Sequence, residues 1–206
     1  MLERKSYDTI CHEHLEYYGL EQIIWLLDRA KLKIIDVELN DINGGSFSVT
    51  ATHKNSQYLR NDKKINQFLL LEKRAKLNTI EPYLNFHLDA QKSRNELKEF
   101  ISNSKNNGQT ISALGASTKG NVILQYCNID SSQIDSIGEV NANKFGTLTP
   151  GSLIPIDSEE SVLSKESDYL MVLPWHFRDF FVKNIKFNGR KWVFPLPGLE
   201  IIIPNN

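Results

Sequence analysis

The sequence predicts an α/β fold with a mostly parallel sheet in residues 107–206. After a polar stop at residues 104–108, short apolar runs typical of strands alternate with runs at helical spacing, which is the pattern of βαβ units. Before that stop, apolar residues recur at helical spacing over residues 56–106, which predicts a helical linker. Residues 1–55 contain one helical pattern followed by two strand patterns, and they form a separate helix-strand-strand part.

The helix-strand-strand part is predicted element by element from its spacing. Apolar side chains recur at helical spacing over residues 20–31, so we expect an amphipathic helix there. Residues 32–37 after this helix predict a strand, and the Asn-Gly-Gly sequence at 43–45 predicts a turn. Residues 46–52 alternate small polar with apolar side chains, which is typical of a half-buried strand.

The remaining elements continue this alternation of helix and strand. Helical spacing over residues 56–103 predicts a helical region, which Pro82 either interrupts or divides by beginning a second helix. The elements predicted after it are a strand at 110–114, a helix at 121–127, strands at 134–140 and 152–156, a short helix at 158–164, a strand at 168–173, a helix at 177–185, and strands at 191–194 and 199–203. In such a sheet, ligands bind at the carboxyl ends of the strands.

The composition argues against several classes of function. The chain has 206 residues, 40% hydrophobic and 24% charged, which suffices for a buried core in one large or two small domains. A net charge of -1 supplies no general attraction to nucleic acid or to an anionic membrane, and no apolar run is long enough for a bilayer. Cys11 and Cys127 match no zinc-binding spacing. We therefore expect a protein of the reducing cytoplasm with no nucleic-acid partner, no membrane and no metal.

Titratable side chains are concentrated in residues 7–18, which read YDTICHEHLEYY. His12-Glu13-His14 lacks the H-E-x-x-H spacing of a metal site, whereas a neutral imidazole beside a carboxylate suits proton transfer near neutral pH. His53, at the end of the second strand, is a further candidate. Surface or packing roles are the alternative, and we favour that alternative for His53 taken alone. Such a segment is expected to pack against further protein or a ligand, at the edge of a larger active site.

The loop between the first strand of the sheet and its helix, residues 115–121, carries the best local motif. Gly115 and Gly120 match the first and third glycines of the dinucleotide-binding motif G-x-G-x-x-G, but Ser117 replaces the second. Asn121 stands where a nucleotide-hydrolysing P-loop requires lysine. An anion-binding helix N-terminus and an ordinary tight turn are both compatible with this loop. Its candidate anion-binding residues are Gly115, Ser117, Thr118, Lys119, Gly120 and Asn121.

Three further residues are candidate substrate ligands. Glu139 follows the second strand of the sheet, where an acidic side chain often holds a ribose, although a solvated strand end is equally compatible. Lys144 lies in the glycine-containing loop 143–152, which is either a connection or a flap over a ligand. His176 ends an apolar strand in an aromatic-rich turn, and a helix cap or a packing partner is the favoured alternative there.

Several motifs in this chain, taken in order, resemble the C-terminal part of the sugar C-methyltransferases. The motifs are Tyr7-Asp8-Thr9-Ile10 with His12-Glu13-His14-Leu15, Gly44-Gly45-Ser46-Phe47, the 115–121 loop, Asn141-Ala142-Asn143-Lys144-Phe145-Gly146, Pro150-Gly151-Ser152-Leu153-Ile154-Pro155-Ile156 and Leu173-Pro174-Trp175-His176-Phe177. The resemblance covers nearly the whole chain. It implies an enzyme that uses S-adenosylmethionine to methylate a carbon of a nucleotide-linked deoxysugar.

The resemblance also implies how the chain is organised. Enzymes of this family have an N-terminal zinc-binding module, a central domain that binds the methyl donor, and a C-terminal Rossmann-like domain that helps to hold the nucleotide sugar. Residues 1–55 would then be the end of the central, class I methyltransferase domain, 56–106 the linker and 107–206 the Rossmann-like domain. The donor-binding part and the zinc cysteines have no counterpart in this sequence. We therefore expect no S-adenosylmethionine binding by this chain alone, and a separate chain with the donor-binding domain is a candidate partner.

Catalytic roles follow from the same resemblance. Methylating a sugar carbon requires a base that removes a proton beside a keto group, and a donor near the developing enolate oxygen. His53 matches the family's base, with His12 or His14 as a second contributor and Glu13 beside them.

One departure concerns the strand that carries His53. Thr50 and Thr52 stand where the family has a tyrosine and an acid. The chain is expected to be inactive alone, and the alternatives are a nucleotide-sugar-binding module without catalysis and an inactive remnant.

Overall fold

The computed structural model describes residues 1–184 and 189–203. By their contacts these residues form two units. The hairpin unit contains Leu2 and residues 14–87, and the sheet unit contains Met1, residues 3–13 and the chain from Leu88 onward. The predicted boundaries at 55 and 106 stay a prediction. No helix among the described residues is both long and apolar enough to cross a membrane.

The hairpin unit is an antiparallel strand pair packed on helices. Its elements are α1 (Leu20–Arg29), β1 (Leu32–Asn40), a 3-10 turn (Ile42–Gly44), β2 (Ser46–His53) and α2 (Asp62–Arg74), and α3 (Glu81–Asn106) begins in it. Ile34 and Val37 are both buried although they are three residues apart, because a bulge between Ile34 and Asp36 resets the alternation of β1. They form the core with Leu20 and Ile65. The predicted helix, both strands and the turn between them are confirmed.

One side chain of α2 accepts hydrogen bonds from the first backbone N–H groups of α1. The Glu72 carboxylate accepts hydrogen bonds from the backbone N–H of Leu20, at 2.6 Å, and of Glu21, at 3.3 Å. The first N–H groups of a helix lack partners within the helix, and its N-terminus favours a negative charge. This carboxylate therefore couples the two helices of the hairpin unit.

The sheet unit contains a six-stranded sheet. Its elements are β3 (Ile111–Leu114), α4 (Thr118–Tyr126), β4 (Ile137–Glu139), β5 (Ile156–Ser158), α5 (Glu159–Ser164), β6 (Tyr169–Val172), α6 (Arg178–Lys183), β7 (Trp192–Phe194) and β8 (Glu200–Ile202). The spatial order is β5-β4-β3-β6-β7-β8, and all neighbouring pairs are parallel except β7 and β8. This is the 3-2-1-4-5-6 order of doubly wound nucleotide-binding sheets. The predicted α/β class with a mostly parallel sheet is confirmed.

Buried apolar residues explain why these strands form. Every residue of β3, β4 and β7 is buried, as expected for parallel strands that are covered on both faces. The second half of α3 belongs to this unit and buries Leu97 and Ile101 completely. The ring of Phe100 meets that of Tyr169 edge to face, with ring centroids 5.0 Å apart.

The structure corrects some of the predicted boundaries. The strand predicted at 152–156 is wrong, because β5 begins only at Ile156. The residues before it form a turn in which Thr149 Oγ1 accepts from the N–H of Ile154 at 2.9 Å and contacts Ser152 Oγ at 2.7 Å. Pro82 lies in the first turn of α3 and so begins a second helix rather than interrupting one. The helix predicted at 177–185 ends at 183, and residue 185 lies outside the described residues.

Candidate functional site at the switch point of the sheet

The carboxyl ends of β3 and β6 lie side by side at the point where the strand order reverses. The segments that follow these strands, residues 115–119 and 174–176, border what we call the switch-point crevice. Gly115 has a φ of +85°, and a Cβ at this position would lie 2.6 Å from Pro174 Cδ. Only glycine accommodates both the left-handed backbone and this approach. Gly115 therefore allows the two segments to meet.

Gly120 and Ser117 explain why the loop only partly follows the dinucleotide-binding motif. A Cβ on Gly120 would lie 3.1 Å from Leu173 Cβ and 3.2 Å from the carbonyl oxygen of Gly115, so this glycine permits close packing of α4, as the third glycine of the motif does. Ser117 is the N-cap of α4, and its Oγ accepts from the Gly120 N–H at 3.1 Å. The position where a pyrophosphate would approach the backbone thus carries a helix cap.

The other predicted loop residues lie in the first turns of α4. Thr118 and Lys119 are its first two residues and are half-buried. Asn121 is also half-buried, and its Oδ1 atom is buried without a hydrogen-bond partner among the described residues. The helix N-terminus, with these side chains beside it, lies next to the carboxyl end of β3, which is a favourable place for an anion.

An acidic residue from the far end of the sequence also reaches this crevice. The 3-10 turn Tyr7–Thr9 packs against α4, and the Asp8 side chain in it is completely buried. Trp175 Nε1–H donates to Asp8 Oδ2 at 2.8 Å. Sequence reasoning did not single out Asp8. Its only signal was its place in the motif Tyr7-Asp8-Thr9-Ile10.

The neighbouring Tyr7 anchors this turn to the other end of α4. Its ring centroid lies 4.9 Å from that of Tyr126, and its hydroxyl lies 3.5 Å from Cys127 Sγ. Burial raises the pKa of the Tyr7 hydroxyl far above its ordinary value, and burial also raises the pKa of the Cys127 thiol. Both groups are therefore neutral packing partners, and the N-terminal turn is part of the sheet unit.

Asp8, Lys119 and His176 influence one another electrostatically. Burial raises the pKa of the Asp8 carboxyl, and the Trp175 hydrogen bond and the charges of Lys119 and His176 oppose that rise. Burial lowers the pKa of the His176 imidazole, Lys119 lowers it further, and the charge of Asp8 acts in the opposite direction. Asp8 Oδ1 and His176 Nδ1 are buried and have no hydrogen-bond partner among the described residues.

Glu139 and Lys144 connect the loops beside the crevice. Glu139 Oε1 accepts from the N–H groups of Val140, at 2.8 Å, and Asn141, at 3.1 Å. Lys144 Nζ donates to Glu139 Oε2 at 3.2 Å and to the carbonyl oxygen of Ala116 at 2.8 Å. Burial acts to raise the pKa of Glu139, but these hydrogen bonds outweigh it and the pKa is lowered. The two predicted ligands thus hold the loop 143–152 against the 115–119 loop.

The predicted proton-transfer residues are divided between the two units. His12 and Glu13 belong to the sheet unit and are exposed, with His12 Nε2 3.9 Å from Glu13 Oε1. His14 and His53 belong to the hairpin unit and are also exposed. His53 lies at the end of β2 opposite Leu32. Among residues 1–184 and 189–203, no three His, Cys, Asp or Glu side chains form a group that could hold a metal ion.

Comparison of the sequence with known proteins identifies the family of this chain. Residues 41–197, more than half of the chain, match the family model described as the C-methyltransferase C-terminal domain. The chain belongs to this family. It is also 27% identical, over 205 residues, to "C-methyltransferase NovU" of Streptomyces niveus, a match that covers 98% of this chain and 49% of NovU. The chain thus spans about half the length of that relative, and the resemblance to the C-terminal part of a C-methyltransferase is confirmed.

The C-methyltransferase C-terminal domain region and the sheet unit are not the same set of residues. The family region contains β2 with His53 and both segments of the switch-point crevice. It begins after Asp8, which nevertheless packs within the sheet unit. The match to NovU includes the N-terminal segment, since it covers 98% of the chain. The buried turn that carries Asp8 therefore belongs to the sheet unit although it precedes the family region.

Proposed function

We propose that this chain is the C-terminal half of a C-methyltransferase that transfers a methyl group from S-adenosylmethionine to a carbon of a nucleotide-linked sugar. In this proposal the chain holds the nucleotide sugar at the switch-point crevice. The observation that carries it is the meeting of the β3 and β6 loops where the strand order reverses, because α/β sheets bind ligands at that point. The family match supports the methyltransferase role.

The crevice has the chemistry that a diphosphate requires. Lys119 supplies a positive charge, His176 supplies a half-buried imidazole, and the N-terminus of α4 favours a negative group. The hydroxyl of Thr118 and the amide of Asn121 are further hydrogen-bonding groups for phosphate and sugar oxygens. In this proposal Gly115, Ser117 and Gly120 shape the binding loop, while Glu139 and Lys144 keep it in place.

The hairpin unit would serve the proton transfer. His53 is the proposed base, and His14 of the same unit is proposed to assist it, while the roles predicted for His12 and Glu13 stay predictions. Their exposure leaves these side chains accessible to a substrate. A base must lie within about 3 Å of the proton that it removes, and the methyl donor must be aligned with the same carbon.

The edge of β2 supports a place for the donor-binding domain. Among the described residues, β2 pairs only with β1, so its second edge offers unpaired backbone groups. We propose that a sheet in the other half of the enzyme continues along this edge, which would make residues 1–55 the end of a class I methyltransferase domain. Because that half would bind the methyl donor, this chain alone is expected to bind nucleotide sugar but no S-adenosylmethionine.

Calorimetry of the chain with nucleoside diphosphate glucoses tests the binding site. Lys119→Ala is expected to weaken binding about tenfold, because it removes a charged partner of the diphosphate. Lys92→Ala is the matched control, since Lys92 is an exposed lysine of the same unit and is expected to leave binding unchanged. Equal affinity of the parent and the Lys119 variant would show that the 115–121 loop is only a turn. A clear heat of S-adenosylmethionine binding would contradict the division between two halves.

Hydrogen exchange tests the proton-transfer role without the methyl donor. The chain is incubated in D2O with a nucleoside diphosphate 4-keto deoxysugar, and deuterium entry beside the keto group is followed by NMR. The proposal predicts exchange that His53→Gln abolishes and that His87→Gln, at another exposed histidine of the hairpin unit, leaves unchanged. Exchange at the background rate would favour the second candidate.

The second candidate function is a nucleotide-sugar-binding module without catalysis. One observation favours it. By the family resemblance, Thr50 and Thr52 stand on β2 where a tyrosine and an acid are expected. In that case the calorimetric result holds, no exchange is catalysed, and no methyl transfer occurs when the part of NovU that this chain does not match is added in trans.

A further inference from the structure

Asp8 is a buried acid to which the proposed function gives no role. Its side chain is 0% exposed, Trp175 Nε1–H donates to its Oδ2, and its Oδ1 has no hydrogen-bond partner among the described residues. Burying a carboxylate with so few partners is unfavourable, and an apolar residue of similar size is often as stable or more stable in such a place. Packing alone therefore does not explain an acid here.

The contacts of Asp8 lead to His176. Trp175 follows β6, and its Nε1–H donates to Asp8 Oδ2 at 2.8 Å although the two residues are 167 positions apart in the sequence. The Trp175 indole in turn meets the His176 ring edge to face, with centroids 5.8 Å apart and planes at 86°. His176 is half-buried at the crevice, whereas Asp8 is inaccessible. Asp8 can thus act on a ligand through the turn 174–176.

We propose that Asp8 is a positioning residue of the switch-point crevice, which fixes the turn 174–176 through Trp175 and so orients His176 toward a phosphate-bearing ligand. The proposal rests on the proposed function, because it assigns Asp8 to the same crevice. The charges of Lys119 and His176 act on the pKa of Asp8, and the charges of Lys119 and Asp8 act on the pKa of His176.

Paired variants separate positioning from folding. Asp8→Leu removes the acceptor and leaves the Trp175 N–H buried without a partner, whereas Asp8→Leu with Trp175→Phe removes both partners and restores an apolar contact. We expect Asp8→Leu to weaken UDP-glucose binding about tenfold by calorimetry, and the double variant to regain part of the lost melting temperature while its affinity stays low. Asp8→Asn keeps an acceptor for the indole and should bind within about threefold of the parent. Asp135→Asn, an exposed acid before β4, is the control and should change nothing.

The outcomes decide between the proposals. Recovery of affinity together with stability in the double variant would mean that Asp8 serves folding only, and parent-like binding by Asp8→Leu would also overturn the proposal. The His176 ring resonances give a readout that needs no ligand, and they are expected to shift in Asp8→Leu, which keeps the neighbouring Trp175 ring, and to remain in place in Asp135→Asn. If the parent binds no nucleoside diphosphate glucose, the proposed function fails, and unchanged His176 resonances would then separately refute the positioning role.

Discussion

Gly115→Ala is the substitution that most directly tests the switch-point crevice. A residue with a Cβ in the left-handed conformation costs about 1–2 kcal/mol relative to glycine. The new Cβ would also lie 2.6 Å from Pro174 Cδ and 2.8 Å from Pro174 Cγ, and the proline ring cannot rotate away. Overpacking of this kind costs about 1–3 kcal/mol. We therefore expect the free energy of unfolding to fall by about 2–5 kcal/mol.

Gly146→Ala isolates the contribution of Pro174. Gly146 has a comparable φ of +73°, but a Cβ there would meet nothing within 4 Å. Its expected loss is only the backbone cost of about 1–2 kcal/mol. The difference between the two variants should be about 1–3 kcal/mol, or on the order of 5 °C in melting temperature for a chain of this size.

Urea unfolding followed by circular dichroism measures both variants, with the linear dependence on urea giving each free energy. Adding Pro174→Ala to Gly115→Ala should recover the steric part, because only Pro174 Cβ, at 3.8 Å, would remain near the new methyl group. Equal losses for Gly115→Ala and Gly146→Ala would refute the close approach of the two crevice segments. So would a lack of recovery in the double variant.

Three further predictions concern the same loops. Ser117→Ala removes the N-cap of α4 and should lower the free energy of unfolding in urea by about 1 kcal/mol. Ser158→Ala, at the N-cap of α5, should lower it by a similar amount. An unchanged free energy of unfolding in Ser117→Ala would contradict the capping role of Ser117. Folding lowers the pKa of Glu139 from its ordinary value of 4.5. Ionised Glu139 therefore stabilises the folded chain fully above pH 4.5, and this stabilisation is lost as the pH falls through the lowered pKa. Glu139→Gln should thus be about 1–3 kcal/mol less stable at pH 7 and approach the parent in acid, and a pH-independent difference would argue against the ionised network. Lys119→Gln should raise the pKa of His176 in an NMR titration, because it removes a positive charge that disfavours the imidazolium. An unchanged pKa of His176 would mean that Lys119 does not lie near the imidazole.

Local sequence patterns predicted the elements whose burial is visible as a continuous run of apolar residues. The strands β3, β6 and β7 are apolar runs because the parallel sheet is covered on both faces. The beginning of α4 was predicted three residues late, since the cap that starts it is a hydrogen bond of Ser117. The turn before β5 was predicted as a strand because it contains apolar residues, but Leu153 is exposed and Thr149 holds Ile154 in a loop.

Some residues of the candidate site could be recognised in the sequence, and others could not. Gly115 and Gly120 could be recognised in the sequence, because backbone conformation and close packing restrict those positions to glycine. The sequence left two roles open for His176, a substrate ligand and a helix cap or packing partner. It could not decide between them, because the environment of His176 depends on Lys119 and Asp8, which lie in other segments. Asp8 was missed because Trp175, which defines its role, is 167 residues away.

By itself, the sequence determined the α/β class, the family resemblance and the loop at the end of β3, because these depend on periodicity, motif order and local backbone requirements. Only the tertiary structure decided that the turn with Asp8 belongs to the sheet unit. It alone showed that Glu139 and Lys144 hold the loops together. The physical reason is that pKa values, hydrogen bonds and burial depend on distances between side chains, and those distances are set by the packing of segments that are far apart along the chain.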